Sequence, residues 1–454
     1  MTPANTVSAR RSTLMRVLHS LRSLRSTLAA LALLALIAPP CAIEAMAAGD
    51  APATRVLSAS AMLDSIAVNT HITYTDGAYA SLPKVADDLA WLGVQHIREG
   101  VPGGSAIALS SYVWLAQRGV KFNFVVHDDP DTSLRELNRF AAAAPPGSIA
   151  AVEGYNEIDN FPMRYRDLTG SEAGLAAQRA LYAKMHGAPA LAGVPVYDLT
   201  GFDPARVASR TGSADFANQH PYPQNGDQPA HNAMGPAWIA WAIDGMRQYG
   251  LPIVLTEFGY FTIPQSGWLR IGVDEPTQAK GLLNGLFEAV RLGATRTYIY
   301  ELLDEKPDPQ NTNGEMHFGL FRNDHTPKVS ASTIRNLVAI LRADSASGNR
   351  PPDNSSSYTL NGMTQTCRTL LLTKQPGSYL IALWNVAPFW DRATGKALNT
   401  PPVNVQVDFG TRASRVQIYD PTVSSAPLTR HDNVQRLAVD VPDHVILLDV
   451  KTGG

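Results

Sequence analysis

Two glutamates stand where a reaction can be carried out. One closes the segment Glu153-Gly154-Tyr155-Asn156-Glu157-Ile158-Asp159, and the other lies in Thr256-Glu257-Phe258-Gly259-Tyr260. Both segments follow short β-like runs. A pair of carboxyl groups flanking an acetal carbon can cleave a glycosidic bond. One acid protonates the leaving oxygen while the other carboxylate attacks the carbon. Water then resolves the covalent species, with the first group acting as base. A separation of about 5–5.5 Å suits that double displacement, and about 6.5–9.5 Å suits direct attack by water. A lone Asn-Glu is usually only a capped turn, so the weight rests on the pair and on the elements that carry it.

Those elements alternate. The strand-like runs are 65–72, 94–98, 121–127, 148–155, 190–196, 216–220, 252–257 and 296–302. Helical apolar spacing appears over 82–93, 112–119, 175–186, 238–249, 276–292 and 330–342. Pro276 suits a first helical turn and Gly293 a helix end. Eight such units over this length predict a closed parallel barrel, with the working residues at the carboxyl ends of the strands. A doubly wound sheet is the competing fold, but no Gly-rich phosphate loop follows the first strand. Glu157 and Glu257 then end the fourth and seventh strands, on facing sides of a barrel mouth.

The rest of the chain is organised around this unit. Arg10, Arg11, Arg16, Arg22 and Arg25 precede the apolar run 28–38, and Ala45-Met46-Ala47 follows. That is the layout of a secretory signal peptide over 1–47, and it predicts an exported protein, periplasmic or secreted, with no membrane anchor once cleaved. The barrel is expected over 55–345. Residues 344–357 (DSASGNRPPDNSSS) read as a linker. Over 355–454 the pattern is all β, with runs at 378–384, 403–409, 414–419, 437–441 and 444–450. The fold class expected is therefore α/β: a (β/α)8 TIM barrel with a C-terminal antiparallel β-sandwich domain, to which 55–61 adds a strand. Charged residues make up 17% of the chain and the net charge is −2. That gives no field to gather nucleic acid or hold an anionic membrane. Cys367 alone remains after cleavage at 47, so it forms no internal disulfide and reads as a small buried residue.

The segments VEGYNEID and VLTEFGY resemble the acid/base and nucleophile strands of the clan A glycoside hydrolases. The added β-sandwich resembles that of family 39-like members. The resemblance implies a retaining enzyme acting on an oligo- or polysaccharide, bacterial exopolysaccharide among the candidates, without a cofactor or catalytic metal. Glu157 is then the acid/base and Glu257 the nucleophile. Asn156 would meet the sugar 2-hydroxyl. Arg98, ending the second strand, would hold the nucleophile ionised. His220 and Tyr222, after the sixth strand, would lie near the same glutamate. YIYELLDE at strand eight departs from the tryptophan common in the clan, and Tyr300 or Glu301 takes that place. The acid role also requires burial, or the charge of Glu257, to raise the Glu157 pKa.

Plainer roles compete at each position. Arg98 could be a rim salt-bridge partner, and His220 a loop anchor. Glu153 points by alternation into the barrel centre, where a structural role is expected. Asn69, His71, His127 and Asp128 end strands one and three and could line the site. Trp268 is the candidate sugar platform, because a flat ring offers apolar surface to C–H groups. Trp91, Trp114, Trp238 and Trp241 read as core. Asp304, Glu305 and Asp308 read as a solvated acidic rim, with a cation site as the alternative. Two other function classes stay open: a catalytically silent carbohydrate-binding barrel, which would lack one carboxylate, and a metal hydrolase, which would show a His-rich cluster at the strand ends.

Overall fold

The computed structural model describes residues 57–103, 107–127, 129–203, 207, 210, 212–232, 235–264, 272–343 and 358–453. The expected signal segment, the linker, Asp128 and Trp268 lie outside them. A first short strand, β1 (Leu57–Ser58), and helix α1 (Ala59–Asp64) lead into the barrel. Its strands are β2 (Ile66–Asn69), β3 (His96–Gly100), β4 (Lys121–Val125), β5 (Ile149–Glu153), β8 (Val196–Tyr197), β9 (Ala217–Asn218), β10 (Ile253–Phe258) and β11 (Ala294–Ile299). A small hairpin, β6 (Arg164–Tyr165) and β7 (Leu168–Thr169), decorates the loop after β5. All barrel pairings are parallel, in the order β8-β5-β4-β3-β2-β11-β10-β9. The parallel bridge between Tyr197 and Phe216 closes the ring.

The helices are α2 (Leu82–Leu92), α3 (Leu109–Ala116), α4 (Pro130–Ala143), α5 (Gly170–Gly187), α6 (Trp238–Arg247), α7 (Glu275–Leu292) and α8 (Val329–Arg342). Local chemistry sets their ends. The Asp274 side chain accepts from Thr277 N–H at the start of α7, and Gly293 closes it at φ +111°. Helix α4 was not expected. Asp129 caps it and Pro130 opens it, a start signal as clear as that of α7. The fifth strand lies later than 190–196, because Pro189–Leu191 forms a 3-10 turn and Pro195 delays pairing until Val196. No helix separates β8 from β9 among the described residues.

The C-terminal strands are β12 (Thr359–Asn361), β13 (Cys367–Thr373), β14 (Ser378–Asn385), the small pair β15 (Trp390–Asp391) and β16 (Lys396–Ala397), then β17 (Val403–Tyr419), β18 (Thr429–Val441) and β19 (Ile446–Thr452). The two runs expected at 403–409 and 414–419 form one long strand. It bends where its register with β18 shifts between Asp408 and Ala413, with Gly410 at φ +70°. The bend folds one part of the sheet over the other around Ile381, Val407, Val439 and Leu448. The opposite face packs on the barrel, where Leu372, Leu380, Trp384 and Leu447 share one core with α7 and α8. Leu57 and Ser58 pair with Leu372 and Thr373 as an extra strand of this sheet. Cys367 is buried.

The sandwich also braces a barrel loop. Gln228 Nε2 donates to the backbone oxygens of Ala387 (2.9 Å) and Asp443 (3.0 Å). Gly226, at φ +77°, lies so close to Trp390 that a Cβ would come within 2.1 Å of its ring. This is the loop that carries His220 and Tyr222. Beside it His444 meets Asp420 and Asp443, at 2.9 Å each, and Asp443 reaches Lys280 on α7, also at 2.9 Å. Burial opposes the His444 charge, but the two carboxylates outweigh it and raise the His444 pKa above its ordinary value. Both aspartates are lowered, since His444 outweighs their burial. A raised histidine stabilises the fold fully below about pH 6.5 and loses that contribution as pH rises through its folded value. The aspartates lose theirs as pH falls below about 3.8. His444→Gln should therefore lower Tm most at about pH 5–6 and least at about pH 9. Thermal unfolding of both proteins across that range checks this, and a gap that widens with pH would contradict it.

Candidate active site

The barrel interior is layered by strand alternation. Ala67, Ala151 and Val254, with Tyr197 and Tyr298, fill its lower layer. Two residues further along the same strands come Asn69, Glu153 and Thr256, which join Asn123 and Asn218 in a polar layer. All five are at most 1% exposed. Arg98, near the end of β3, rises through this layer and organises it. Its Nε and Nη2 donate to the two oxygens of Glu153 at 2.9 and 2.8 Å. Nη1 donates to Asn69 Oδ1 at 3.1 Å and to Glu257 Oε1 at 2.6 Å. Nη2 also donates to Asn156 Oδ1 at 2.7 Å. Burial opposes the guanidinium charge, but Glu153 and Glu257 outweigh it and push the Arg98 pKa up. Glu153 is thus a wholly buried partner of Arg98, and Arg98 lies beside the candidate carboxyl pair and not at the rim.

Glu257 is aimed by a local irregularity. The register of β10 against β11 shifts between Leu255 and Phe258. A bulge of this kind breaks strict alternation, so the consecutive Thr256 and Glu257 both reach the centre. Tyr222 OH donates to Glu257 Oε2 at 2.7 Å. Burial first, and then the Glu257 charge, hold the Tyr222 phenol well above its ordinary pKa, so it remains a donor.

Glu157 sits four residues beyond β5 with φ +39°, in the left-handed region. For a side-chain-bearing residue that conformation costs about 1–3 kcal/mol and needs outside support. Thr200 Oγ1 supplies it by accepting the Glu157 N–H at 3.0 Å. Asn160 Nδ2 donates to Glu157 Oε2 at 3.2 Å. His220 Nδ1 lies 3.1 Å from Glu157 Oε1 and 3.6 Å from Glu257 Oε2. The other His220 nitrogen meets Thr256 Oγ1 at 3.0 Å, and that hydroxyl reaches the acceptor Glu153 Oε1 at 2.9 Å. The same hydroxyl also reaches Asn218 Oδ1 at 2.9 Å; with its proton given to either oxygen, Thr256 accepts from His220 Nε2–H, which turns Nδ1 toward Glu157.

One expectation is corrected here. Burial does push the Glu157 pKa up, but the His220 hydrogen bond and charge, Asn160 and Arg98 outweigh it, and the net shift is downward. Burial alone therefore does not hold the acid proton on Glu157, because His220 at 3.1 Å and Asn160 at 3.2 Å offset it. An oxygen of Glu157, one of Glu257 and a His220 nitrogen all lie within 4.8 Å of one another. These atoms could in principle hold a metal, but the Arg98 cation already occupies the side of Glu257 where a second cation would be repelled.

Above the pair opens a cleft of about 1010 Å³, lined by Asn156, Glu157, Tyr222, Glu257, Tyr300, His71 and His127 among others. Asn156 gives its oxygen to Arg98, so its amide N–H groups are what it offers the cleft. Tyr300 lines the floor and donates to Glu315 Oε1 at 2.6 Å, while Glu301 turns away to accept from Tyr79 OH at 2.8 Å. Asn69 touches the cleft but is held by Arg98 and by the Thr256 carbonyl. Phe161 and Phe202, 60% and 51% exposed, line the same cleft. Neither was singled out in the sequence, although exposed aromatic rings beside a polar cleft suit a sugar face. Of the acidic loop after strand eight, only Glu305 faces the cleft. Asp304 is buried against Lys328 at 2.7 Å, and Asp308 accepts the Thr312 and Asn313 N–H groups. Among the tryptophans read as core, Trp241 is 39% exposed.

No protein-family model matches the chain, and no curated protein matches it. Solved structures do. A family 39 glycoside hydrolase from the gut symbiont Bacteroides cellulosilyticus WH2 superposes at a TM-score of 0.59 with 13% identity. The alignment covers 87% of this chain and 82% of that one. The GH39 enzyme from Xanthomonas axonopodis pv. citri gives a TM-score of 0.52 with 13% identity over 88% and 98% of the two chains. Barrel and sandwich together thus have the fold of family 39 glycoside hydrolases.

Proposed function

We propose that this chain, built on the family 39 fold, is a retaining glycoside hydrolase that cleaves an oligo- or polysaccharide. The observation that carries this reading is the carboxyl pair. Glu157 and Glu257 present oxygens within 4.8 Å of each other, nearer the roughly 5–5.5 Å of a double-displacement pair than the roughly 6.5–9.5 Å of an inverting one. The groups around each glutamate differ in the way the two roles demand. Glu257 faces Arg98 and the Tyr222 hydroxyl, donors that orient one oxygen lobe at the anomeric carbon. Glu157 faces His220 Nδ1 at 3.1 Å and is the group placed to protonate the leaving oxygen. In the second step Glu157 takes a proton from water, which displaces Glu257 from the sugar carbon. The cleft volume exceeds what one sugar ring fills, so a chain substrate with rings on Phe161 and Phe202 fits better than a monosaccharide glycoside. The signal-peptide pattern over 1–47 supports placing this activity in the periplasm or outside the cell.

The test is the stereochemistry of the first product. Proton NMR during hydrolysis of a cleavable aryl β-glycoside, chosen from a panel of sugars, should show the β-anomer first, with the α-anomer arising by mutarotation. First appearance of the α-anomer would overturn retention. No turnover of any glycoside or bacterial polysaccharide would favour a silent binding barrel.

A further inference from the structure

A second cluster of ligating groups stands beside the carboxyl pair and takes no part in it. His71 follows β2, while Glu301 and Glu305 follow β11. One ligating atom from each lies within 4.8 Å of the others. His71 Nε2 is 3.6 Å from Glu301 Oε2, which matches the roughly 3.3–3.6 Å between neighbouring ligands on one tetrahedral Zn²⁺. The groups are unusually poorly served by the protein. Glu301 is wholly buried, yet its Oε1 has no hydrogen-bond partner, and His71 Nε2 is also a buried atom without one. An unpaired buried carboxyl oxygen is costly and calls for a partner.

No cationic side chain supplies that partner among the described residues. Lys306, next in sequence to Glu305, turns to Asp76 at 2.7 Å, and Lys328 turns to Asp304 at 2.7 Å. Tyr79 donates to Oε2, the oxygen 3.6 Å from His71, and leaves Oε1 of the same carboxyl without a donor. We propose that His71, Glu301 and Glu305 form a divalent transition-metal site on the wall of the cleft, suited to Zn²⁺. A mixed imidazole and carboxylate set favours Zn²⁺ over Mg²⁺ or Ca²⁺, which take oxygen shells. His71 and Glu305 line the cleft and Glu301 lies behind them. The fourth position therefore faces the cleft, where water or a substrate hydroxyl completes the shell.

The electrostatics agree. Burial pushes the Glu301 pKa well above the ordinary carboxylate range, with Glu305 adding to it, and brings Glu305 to about 7. Burial also lowers His71 to about 4, leaving an imidazole with a lone pair to give.

The inference does not depend on the glycosidase reading, because its test measures metal and not turnover. The full chain is stripped with chelator and titrated with Zn²⁺ by calorimetry, with metal content and Tm measured alongside. One Zn²⁺ per chain and a raised Tm are expected. Glu301→Gln and Glu305→Gln should each weaken binding at least about tenfold, with Tm in chelator no lower than the wild type. Glu257→Gln should bind as the wild type does. Should Glu301→Gln fail to fold, Glu305→Gln carries the same test. The proposal fails if the wild type takes up no Zn²⁺, or if both Glu301→Gln and Glu305→Gln bind undiminished. It fails equally if affinity is lost in Glu257→Gln alone, which would put the ion on the carboxyl pair.

Discussion

Replacing Glu257 by Gln should abolish turnover while the protein stays folded. An amide cannot form the glycosyl-enzyme, and loss of a nucleophile costs at least about 10⁴-fold in kcat. Gln keeps the shape, so Tyr222 and Arg98 still pack against it and Tm should move little. Glu157→Gln should behave differently. It removes proton donation, which contributes about 10²–10⁴-fold. The loss should be large for a natural sugar leaving group and small for an acidic phenol, which leaves without help. Glu157→Ala opens space beside the glycosyl-enzyme. Azide should then attack the sugar carbon, displace Glu257 and yield a glycosyl azide of retained configuration. Measured kcat across leaving groups of different pKa, with and without azide, separates the two roles. Equal losses for every leaving group in both variants would contradict the assignment of Glu157 as acid.

The second large effect is expected at Arg98. Arg98→Met strands Glu153, which is fully buried and bonded to Arg98 through both oxygens. Breaking a buried pair by removing one partner costs about 3–5 kcal/mol. Activity should fall as well, because Asn156 and Glu257 lose the donor that fixes them. Arg98→Lys should rescue little, since one ammonium cannot match a planar fork that meets four side chains. The combination Arg98→Met with Glu153→Met should recover part of the stability, because the wholly buried Glu153 charge is then gone while Glu257 keeps the Tyr222 donor, but not the activity. Denaturant unfolding and kcat measured on the same three proteins test this. If the double variant were no more stable than Arg98→Met, the buried charge would not be the cause of the loss.

The position of the site could be read from residue order alone, for a physical reason. Parallel strands that all run one way put every carboxyl end at the same mouth. Finding Glu157 and Glu257 after the fourth and seventh strands was therefore enough to face them across it. Arg98, His220 and Tyr222 also close or follow strands, and the clan resemblance is what singled them out; the sandwich was legible in alternating runs with a period of two. Helix α4 has an equally legible start in Asp129-Pro130. The fifth strand was placed too early because an apolar run between prolines does not itself show where pairing begins.

What the order of residues left open depends on atoms brought together from far along the chain. Glu153 and Thr256 are 103 positions apart, yet they share the contact that orients His220. The direction of the Glu157 pKa shift turned on that histidine, which a count of nearby glutamates could not anticipate. The turning of Asp304 to Lys328 and of Glu305 to the cleft was likewise set by packing, since adjacent residues in a loop have no fixed period. Strand periodicity and strand ends determined the fold and brought the two candidate carboxylates to one mouth. Proton placement, the aromatic walls at Phe161 and Phe202, and the His71–Glu301–Glu305 cluster were decided only when tertiary packing fixed which side chains converge and which buried oxygens go unpaired.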